Sequence, residues 1–170
     1  IYERGEYIKL FATDNHSGVK KIEYRINGGE WIQYINPITL NHISEGIHLL
    51  DIRSVDWAGN VEEVMSEEFL VDRTSPVTSV NEIKDGWYNS DVTITLNSYD
   101  NLAGVALTEY LVFGSSWGVY HSPFTISNEG VNFLHFRSTD KLNNFEETKT
   151  VEVKIDKTVP FLNISFDQTE

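Results

Sequence analysis

The sequence predicts an all-β protein built from sandwiches of two sheets. Three observations predict this: segments in which apolar and polar residues alternate, turn residues between those segments, and an internal repeat. The alternating segments include residues 7–12, 21–26 and 92–96. No segment of useful length has a helical period. About seven short strands in each repeat are typical of a two-sheet sandwich.

The internal repeat extends over the whole chain. Residues 11–40 match residues 97–126 at an offset of 86, and from Glu45 onward the offset becomes 84. Shared residues at the first offset include Asp14, Gly18, Glu23, Trp31 and Tyr34; those at the second include Arg53, Asp56, Asn60, Glu62 and Asp72. We therefore predict repeat one at 1–75, repeat two at 76–159, and the first strand of a following repeat at 160–170.

The same order of elements is predicted in each repeat. A strand before the first loop is followed by a hairpin strand, then a long strand after a Glu-Gly turn, and then the last strand. In repeat one these are residues 7–12, 21–26, 48–54 and 67–71. The Asn-Gly-Gly turn at 27–29 favours a tight hairpin. Repeat one has no counterpart of residues 77–83, so we expect its first strand upstream, in a longer protein.

The composition excludes several classes of function. The 170 residues carry a formal net charge of −13 and no cysteine. Without a basic stripe to neutralise phosphates, we predict no binding of nucleic acid. No apolar run reaches the length that spans a bilayer, so we predict no membrane insertion. In a cytosolic protein the absence of cysteine means little; in a secreted protein it means that stability comes from packing, with a metal ion as a possible aid, and not from disulfides.

The repeated segments resemble a known family. DNHSGVKKIEYRING, SVDWAGNVE and VDRTSP, with their second copies, are similar to the bacterial immunoglobulin-like repeats strung in tandem on secreted and cell-surface proteins. This resemblance covers nearly the whole chain. It implies tandem immunoglobulin-like β-sandwiches that are extracellular, either secreted or attached to a cell surface. The implied partners are neighbouring repeats of the same chain and a cell-surface glycan or protein.

Two functions follow from this resemblance. The first is a non-catalytic spacer, stalk or adhesive module of a larger surface or secreted protein. The alternative is a carbohydrate-binding or accessory module of a secreted polysaccharide-acting enzyme. The chain contains no metalloprotease motif, phosphate-binding loop or nucleophile elbow, and its serines and histidines form no triad pattern. We therefore predict that it is not an enzyme.

The segment DWAGNVE at residues 56–62 has two interpretations. In an immunoglobulin-like sandwich the second and sixth strands end at the same pole, so the loops that begin at Asp14 and Asp56 should lie side by side. In the first interpretation the segment is a tight turn, with Asp56 accepting backbone N–H groups. Gly59 and its counterpart Asn143 both tolerate the left-handed region that such a turn requires.

The second interpretation adds a calcium ion to that turn. Asp14, Asp56 and Asn60 bring hard oxygen ligands to one pole of repeat one, and such ligands suit calcium. The last strand of repeat one ends at Asp72, which we expect to reach the equivalent pole of repeat two. The predicted metal ligands there are Asp72, Asp100, Asp140 and Asn144.

Repeated aromatic residues offer a second candidate site. Trp31 and Tyr34 recur as Trp117 and Tyr120 at a fixed spacing after a hairpin. If exposed, these rings could stack on sugars; if buried, they pack within each repeat. Both interpretations are open on the sequence alone.

Repeated charged residues predict an ion pair in each copy. Glu23 and Arg53 should face each other across neighbouring strands, as should Glu109 and Arg137.

Overall fold

The computed structural model describes residues 7–112 and 114–166 of the chain. Within these residues every regular element is a β-strand, which confirms the predicted all-β fold class. The first six residues of predicted repeat one and residues 167–170 of the predicted third repeat lie outside this range. Among the described residues, no helix has the length and apolarity needed to cross a bilayer.

The chain divides into two compact units. The first contains Ile1–Pro76, Asp100–Ala106 and Thr139–Phe145; the second contains Val77–Tyr99, Leu107–Ser138 and Glu146–Glu170. The units group residues by packing, whereas the predicted boundaries at 75 and 159 follow the sequence repeat. Those boundaries therefore stay a prediction.

The first unit contains one four-stranded sheet and one two-stranded sheet. Its strands are β1 (Tyr7–Ile8), β2 (Val19–Ile26), β3 (Ile32–Gln33), β4 (Ile38–Thr39), β5 (Gly46–Asp56) and β6 (Met65–Val71). The larger sheet has the order β3-β2-β5-β6 with antiparallel pairing throughout, and β1 pairs with β4. Asn27 and Gly28 have φ angles of 53° and 71°, as the tight hairpin after β2 requires.

The second unit has the full strand set of an immunoglobulin-like sandwich. Its strands are β7 (Val77–Val80), β8 (Trp87–Tyr88), β9 (Val92–Ile94), β10 (Leu96–Tyr99), β11 (Val105–Val112), β12 (Gly118–Val119), β13 (Phe124–Ile126), β14 (Gly130–Asp140) and β15 (Lys149–Ile155). One sheet has the order β12-β11-β14-β15-β8, in which β8 is parallel to β15. Opposite it, β7 pairs with β10 and β13 pairs with β9. Val105 and Ala106 of β11, and Thr139 and Asp140 of β14, belong to the first unit.

The core of the second unit lies between these two layers. Because side chains alternate across a strand, Val92, Ile94 and Leu96 all face inward from β9 and β10. They pack against Leu134 and Phe136 of β14 in one cluster of buried residues. The period-two pattern of residues 92–96 therefore predicted this core face correctly.

A buried carboxylate ties β7 to β14. Glu146 Oε1 accepts a hydrogen bond from the Thr78 backbone N–H at 2.7 Å, and its Oε2 accepts one from the Ser138 N–H at 3.1 Å. Burial raises the pKa of Glu146, but the hydrogen bonds from Lys149 and Thr78 outweigh burial and hold the pKa below its usual value. The ionised carboxylate is thus part of the folded structure.

Replacing this carboxylate tests its role. We expect Glu146→Ala to lower the free energy of unfolding by about 2 kcal/mol, because two buried N–H groups lose their acceptor. Since the folded pKa is lowered, the contribution of Glu146 is present above the ordinary glutamate pKa and is lost as pH falls through the folded value. Urea unfolding at several pH values measures both effects. The control is Glu62→Ala: the equivalent carboxylate is exposed, and among the described residues it accepts hydrogen bonds only from Ser54, so a smaller loss is expected.

Candidate functional site

The two copies of the turn after the long strand have the same hydrogen bonds. Asp56 Oδ1 accepts the Asn60 N–H at 2.7 Å, and Asp56 Oδ2 accepts the Asn60 side-chain amide at 2.7 Å. Asp140 makes both bonds with Asn144 at the same distances. Gly59 has a φ of 93° and Asn143 a φ of 61°. The turn interpretation of DWAGNVE is therefore confirmed, including the left-handed residue.

The first of these turns lowers the pKa of its aspartate carboxyl group. The side-chain amide of Asn60 is the largest cause that holds the pKa of Asp56 below its usual value, with backbone N–H groups adding to it. The charged form of the carboxylate is the one that closes the turn.

The predicted neighbouring loops do lie side by side. The Trp57 N–H donates to the Gly18 carbonyl at 3.1 Å, and the Lys141 N–H donates to the Gly104 carbonyl at 3.0 Å. In each copy, the aspartate that begins the neighbouring loop accepts a backbone hydrogen bond from within that loop. In the second copy, Asp100 Oδ1 accepts the Gly104 N–H at 2.6 Å. Backbone hydrogen bonds thus fix the positions of the carboxylates at this end of the strands.

Three of the predicted metal ligands converge within the first unit. Asp72, Asp100 and Asp140 each offer a carboxylate oxygen, and these oxygens lie within 4.8 Å of one another. Asp72 and Asp140 are only 7% and 1% exposed. Asp72 Oδ2 accepts the Ala103 N–H at 2.9 Å, while its Oδ1 accepts both donors of Thr74. Like charges this close and this buried repel each other unless a proton or a cation intervenes.

One oxygen of this acidic cluster has no partner. Asp100 Oδ2 is buried and accepts no hydrogen bond from the described part of the chain. A buried polar atom without a partner costs free energy and points to a group that completes it. Three carboxylates with an open oxygen fit a hard divalent cation of the calcium type, which takes oxygen ligands only. The residues that would hold it are Asp72, Asp100 and Asp140.

Asn144 contacts the cluster as a hydrogen-bond donor, whereas a metal ligand would present an oxygen. Its side-chain nitrogen donates to the Asp72 carbonyl at 3.1 Å and to Asp140 Oδ2 at 2.7 Å. With its donor pointing at the cluster, Asn144 positions two of the aspartates. Its role as a metal ligand stays a prediction.

The equivalent residues of the first copy form a more open arrangement. Asp14 and Asn60 are exposed and Asp56 is half-buried. Among the described residues, these three are not part of any group of three acidic or histidine ligands. The geometry therefore favours the cluster around Asp100 over the pole at Asp14.

Sequence reasoning missed an apolar patch beside the acidic cluster. Leu70, Ala103 and Leu142 are buried together, with Leu102 against them. A difference between the two copies of the sequence indicates this patch. The first copy has the polar residues His16 and Ser17 where the second has Leu102 and Ala103. An apolar substitution in a turn indicates that the turn is covered.

The predicted ion pairs form in both copies. Arg53 donates to Glu23 Oε2 at 2.9 Å, and Arg137 donates to Glu109 Oε2 at 3.2 Å. A hydrogen bond from Lys21, together with those from Arg53, holds the pKa of Glu23 below its usual value.

The repeated tryptophans lie against these arginines. The guanidinium carbon of Arg53 is 4.0 Å from the ring centre of Trp31, and that of Arg137 is 4.4 Å from the ring centre of Trp117. This cation–π contact was not predicted from the sequence, although Trp and Arg recur together in both copies. In each copy, an arginine therefore covers one face of the tryptophan ring, and this contact is structural.

The repeated tyrosines are half-buried. Tyr34 and Tyr120 are both of intermediate exposure. Tyr120 packs edge-on against Tyr110 and Phe124, at ring-centre distances of 6.3 and 6.4 Å. Tyr120 is therefore part of the packing of its unit, whereas Trp117 is exposed. Glycan binding by Trp31, Tyr34, Trp117 and Tyr120 stays a prediction.

Comparison with known proteins finds matches among solved structures. No family model matches the chain, and no curated protein matches it significantly. Among solved structures it is similar to fibronectin(III)-like modules of CbhA from Clostridium thermocellum, with 15% identity, 91% of this chain and 88% of that chain covered, and a TM-score of 0.47. It is also similar to the D00-D0 domain of Intimin, with 11% identity, coverages of 83% and 85%, and a TM-score of 0.30. The fold assignment rests on the strand topology of the chain itself. Membership of the bacterial immunoglobulin-like repeat family stays a prediction.

A double-mutant cycle tests the structural role of the tryptophan. We expect Trp117→Ala and Arg137→Ala to be coupled by about 0.5–1 kcal/mol in the free energy of unfolding, because each removes one partner of the same contact. The measurement is chemical unfolding of the wild type, both single variants and the double variant. Strictly additive losses, together with a tryptophan fluorescence change on adding soluble polysaccharide, would instead favour a glycan-binding ring.

Proposed function

We propose that this chain is a non-catalytic, extracellular immunoglobulin-like module that serves as a spacer or stalk of a larger surface or secreted protein, and that calcium stabilises it. The observation that carries the calcium part of the proposal is the acidic cluster of Asp72, Asp100 and Asp140 with its buried, unpartnered oxygen. A site of this kind, supported by backbone hydrogen bonds, stabilises a fold when filled.

The hydrogen bonds and ion pairs that the repeated polar residues make support a structural role for the chain. Asp56 and Asp140 close turns, Glu23 and Arg53 pair with each other, and Glu146 holds backbone N–H groups of neighbouring strands. Residues that make such contacts in both copies stabilise the sandwich itself. A module whose repeated residues stabilise its own fold suits a spacer or stalk.

The chemistry of the cluster supports calcium. Carboxylate oxygens are hard ligands, and calcium accepts six to eight of them in flexible geometry. Asp72 and Asp140 keep lone pairs beyond those used by backbone donors, because each ionised carboxylate has about four acceptor positions. When bound, the cation would offset the repulsion among three negative charges. The fold would then be more stable in calcium than in a chelator.

Thermal unfolding in calcium and in a chelator tests this proposal. We expect millimolar calcium to raise the melting temperature by several degrees, since a ligand at one hundred times its dissociation constant adds about 2.7 kcal/mol. The variant Asp100→Asn should lose this response. In chelator it should be as stable as the wild type or more stable, because it removes one of three clustered charges.

The control for this experiment is Asp14→Asn. Asp14 accepts the same two kinds of backbone N–H bond, from His16 and Gly18, but it is exposed and lies outside the acidic cluster. This variant should keep the full calcium response. No shift for the wild type at millimolar calcium, or an equal loss in both variants, would contradict calcium binding at the cluster.

A further inference from the structure

The first unit has an open pocket between its larger sheet and β4. Its volume is about 490 Å³, and it is lined by Tyr24 and Ile26 of β2, Ile32 of β3 and Ile38 of β4, among others. Every residue that lines the pocket lies between Tyr24 and Ile43, and the structure describes all of them. Pockets of about 300–1,000 Å³ hold small ligands in proteins.

The second unit shows which group occupies the equivalent place. The Phe124 ring is stacked on the Tyr110 ring, with 4.0 Å between the ring centres and 16° between the ring planes. Tyr120 packs edge-on against Phe124 at 6.4 Å. All three rings pack against the buried core of that unit. A phenyl ring on the face of the first tyrosine therefore fills this place in the second unit.

The first unit lacks this ring. Tyr24 and Tyr34 are the counterparts of Tyr110 and Tyr120, but Ile38 stands in the place of Phe124. Ile38 is buried, and it has no ring that could stack on Tyr24. No other aromatic ring in the described part of the chain stacks on Tyr24. A single change of side chain thus leaves an aromatic face open to a ligand.

The pocket lies at the edge of the first unit that is formed by β2 and β3. In the second unit the equivalent strands, β11 and β12, form one edge of the five-stranded sheet, and β8 forms the other edge. The three rings of the second unit come from β11, from β13 and from the residue that follows β12. The comparison of the two units therefore involves only residues that the structure describes in both.

The rim of the pocket carries one negative charge. Glu30 and Asn36 line the pocket and are exposed, and no lysine, arginine or histidine lines it. The Glu30 carboxylate forms no ion pair with any described residue. The net charge of −13 also attracts cations to this chain. An unpaired carboxylate beside an open aromatic face favours a ligand that combines a ring with a positive charge.

We propose that this pocket binds a small aromatic cation, in which a short alkyl chain joins an aromatic ring to an ammonium group. The ring lies on Tyr24, in the place that Phe124 takes on Tyr110, and the ammonium group pairs with Glu30. This binding is a further activity of the module, and none of its residues belongs to the acidic cluster.

A nuclear magnetic resonance titration of the full 170-residue chain, in the presence of a chelator, tests this proposal. The probes are phenethylamine, phenylacetate and butylamine. We expect phenethylamine to shift the amide signals of residues 24–43 with a dissociation constant of about 1 mM, as its size allows. Phenylacetate has the same ring with a negative charge and should bind more weakly. Butylamine has the charge without the ring and should leave these signals unchanged.

The variant Ile38→Phe tests the position of the ring. It gives the first unit the phenylalanine of the second unit, so its own ring should cover Tyr24 and abolish the binding of phenethylamine. Its melting temperature should equal or exceed that of the wild type, because the ring adds apolar contacts. Tyr24→Leu tests the same contact without adding volume to the core. It removes the aromatic face and should weaken binding about fivefold.

The variant Glu30→Gln tests the position of the charge. It should weaken the binding of phenethylamine about threefold, as expected for an exposed ion pair, and should bring phenylacetate closer to it in affinity. The matched control is Glu63→Gln, which removes an exposed carboxylate that does not line the pocket and should bind like the wild type.

Two results would overturn the proposal. One is a wild type whose signals in residues 24–43 do not respond to phenethylamine, or respond equally to butylamine. The other is an unchanged dissociation constant in both Ile38→Phe and Tyr24→Leu. Because the titration contains a chelator, neither result depends on whether the acidic cluster binds calcium.

Discussion

Complete coverage of the apolar sheet face is the constraint on which the rest of this structure depends. A strand with period-two alternation gains stability only when something covers its apolar side. In the second unit β7 and β8 complete that cover, and Ile94, Leu134 and Val153 lose all contact with water. In the first unit the described strands leave a groove beside Leu10. Among the described residues, the same sequence pattern therefore gives a closed core in the second unit and a groove in the first.

Carboxylates that accept backbone N–H groups organise the ends of the strands. Asp56 and Asp140 close equivalent turns, and Glu45 and Glu129 accept the N–H groups of Arg73 and Lys157 after the last strands. A net charge of −13 is thus partly a set of internal acceptors rather than only a solvated surface. Asp72, Asp100 and Asp140 meet in one cluster, where carboxylate oxygens outnumber the hydrogen-bond donors. One of these oxygens, Asp100 Oδ2, has no partner in the described part of the chain.

Much of this could be predicted from the sequence because the relevant patterns are local or repeated. Alternation predicted the strands and the inward face at Val92, and the repeat predicted the ion pair of Glu23 with Arg53. Turn chemistry predicted the left-handed Asn143. The strand of residues 7–12 was predicted too long, since only Tyr7–Ile8 is paired. Pairing requires a neighbouring strand, and alternation alone does not report whether that neighbour is present.

The sequence by itself determined the fold class, the turns and the identity of the acidic residues, since these depend on residue spacing and on hydrogen bonds within a few positions. The repeat and its topology predicted that Asp72, Asp100 and Asp140 meet, but only the tertiary structure decided how closely their oxygens approach and which oxygen lacks a partner. Asp72, Asp100 and Asp140 are far apart in sequence, and their distances depend on how loops pack. The same holds for the stacking of Arg137 on Trp117 and for the groove beside Leu10. The degree of burial and the distances between distant segments are set by the packing of the assembled sheets, and residue spacing alone does not fix them.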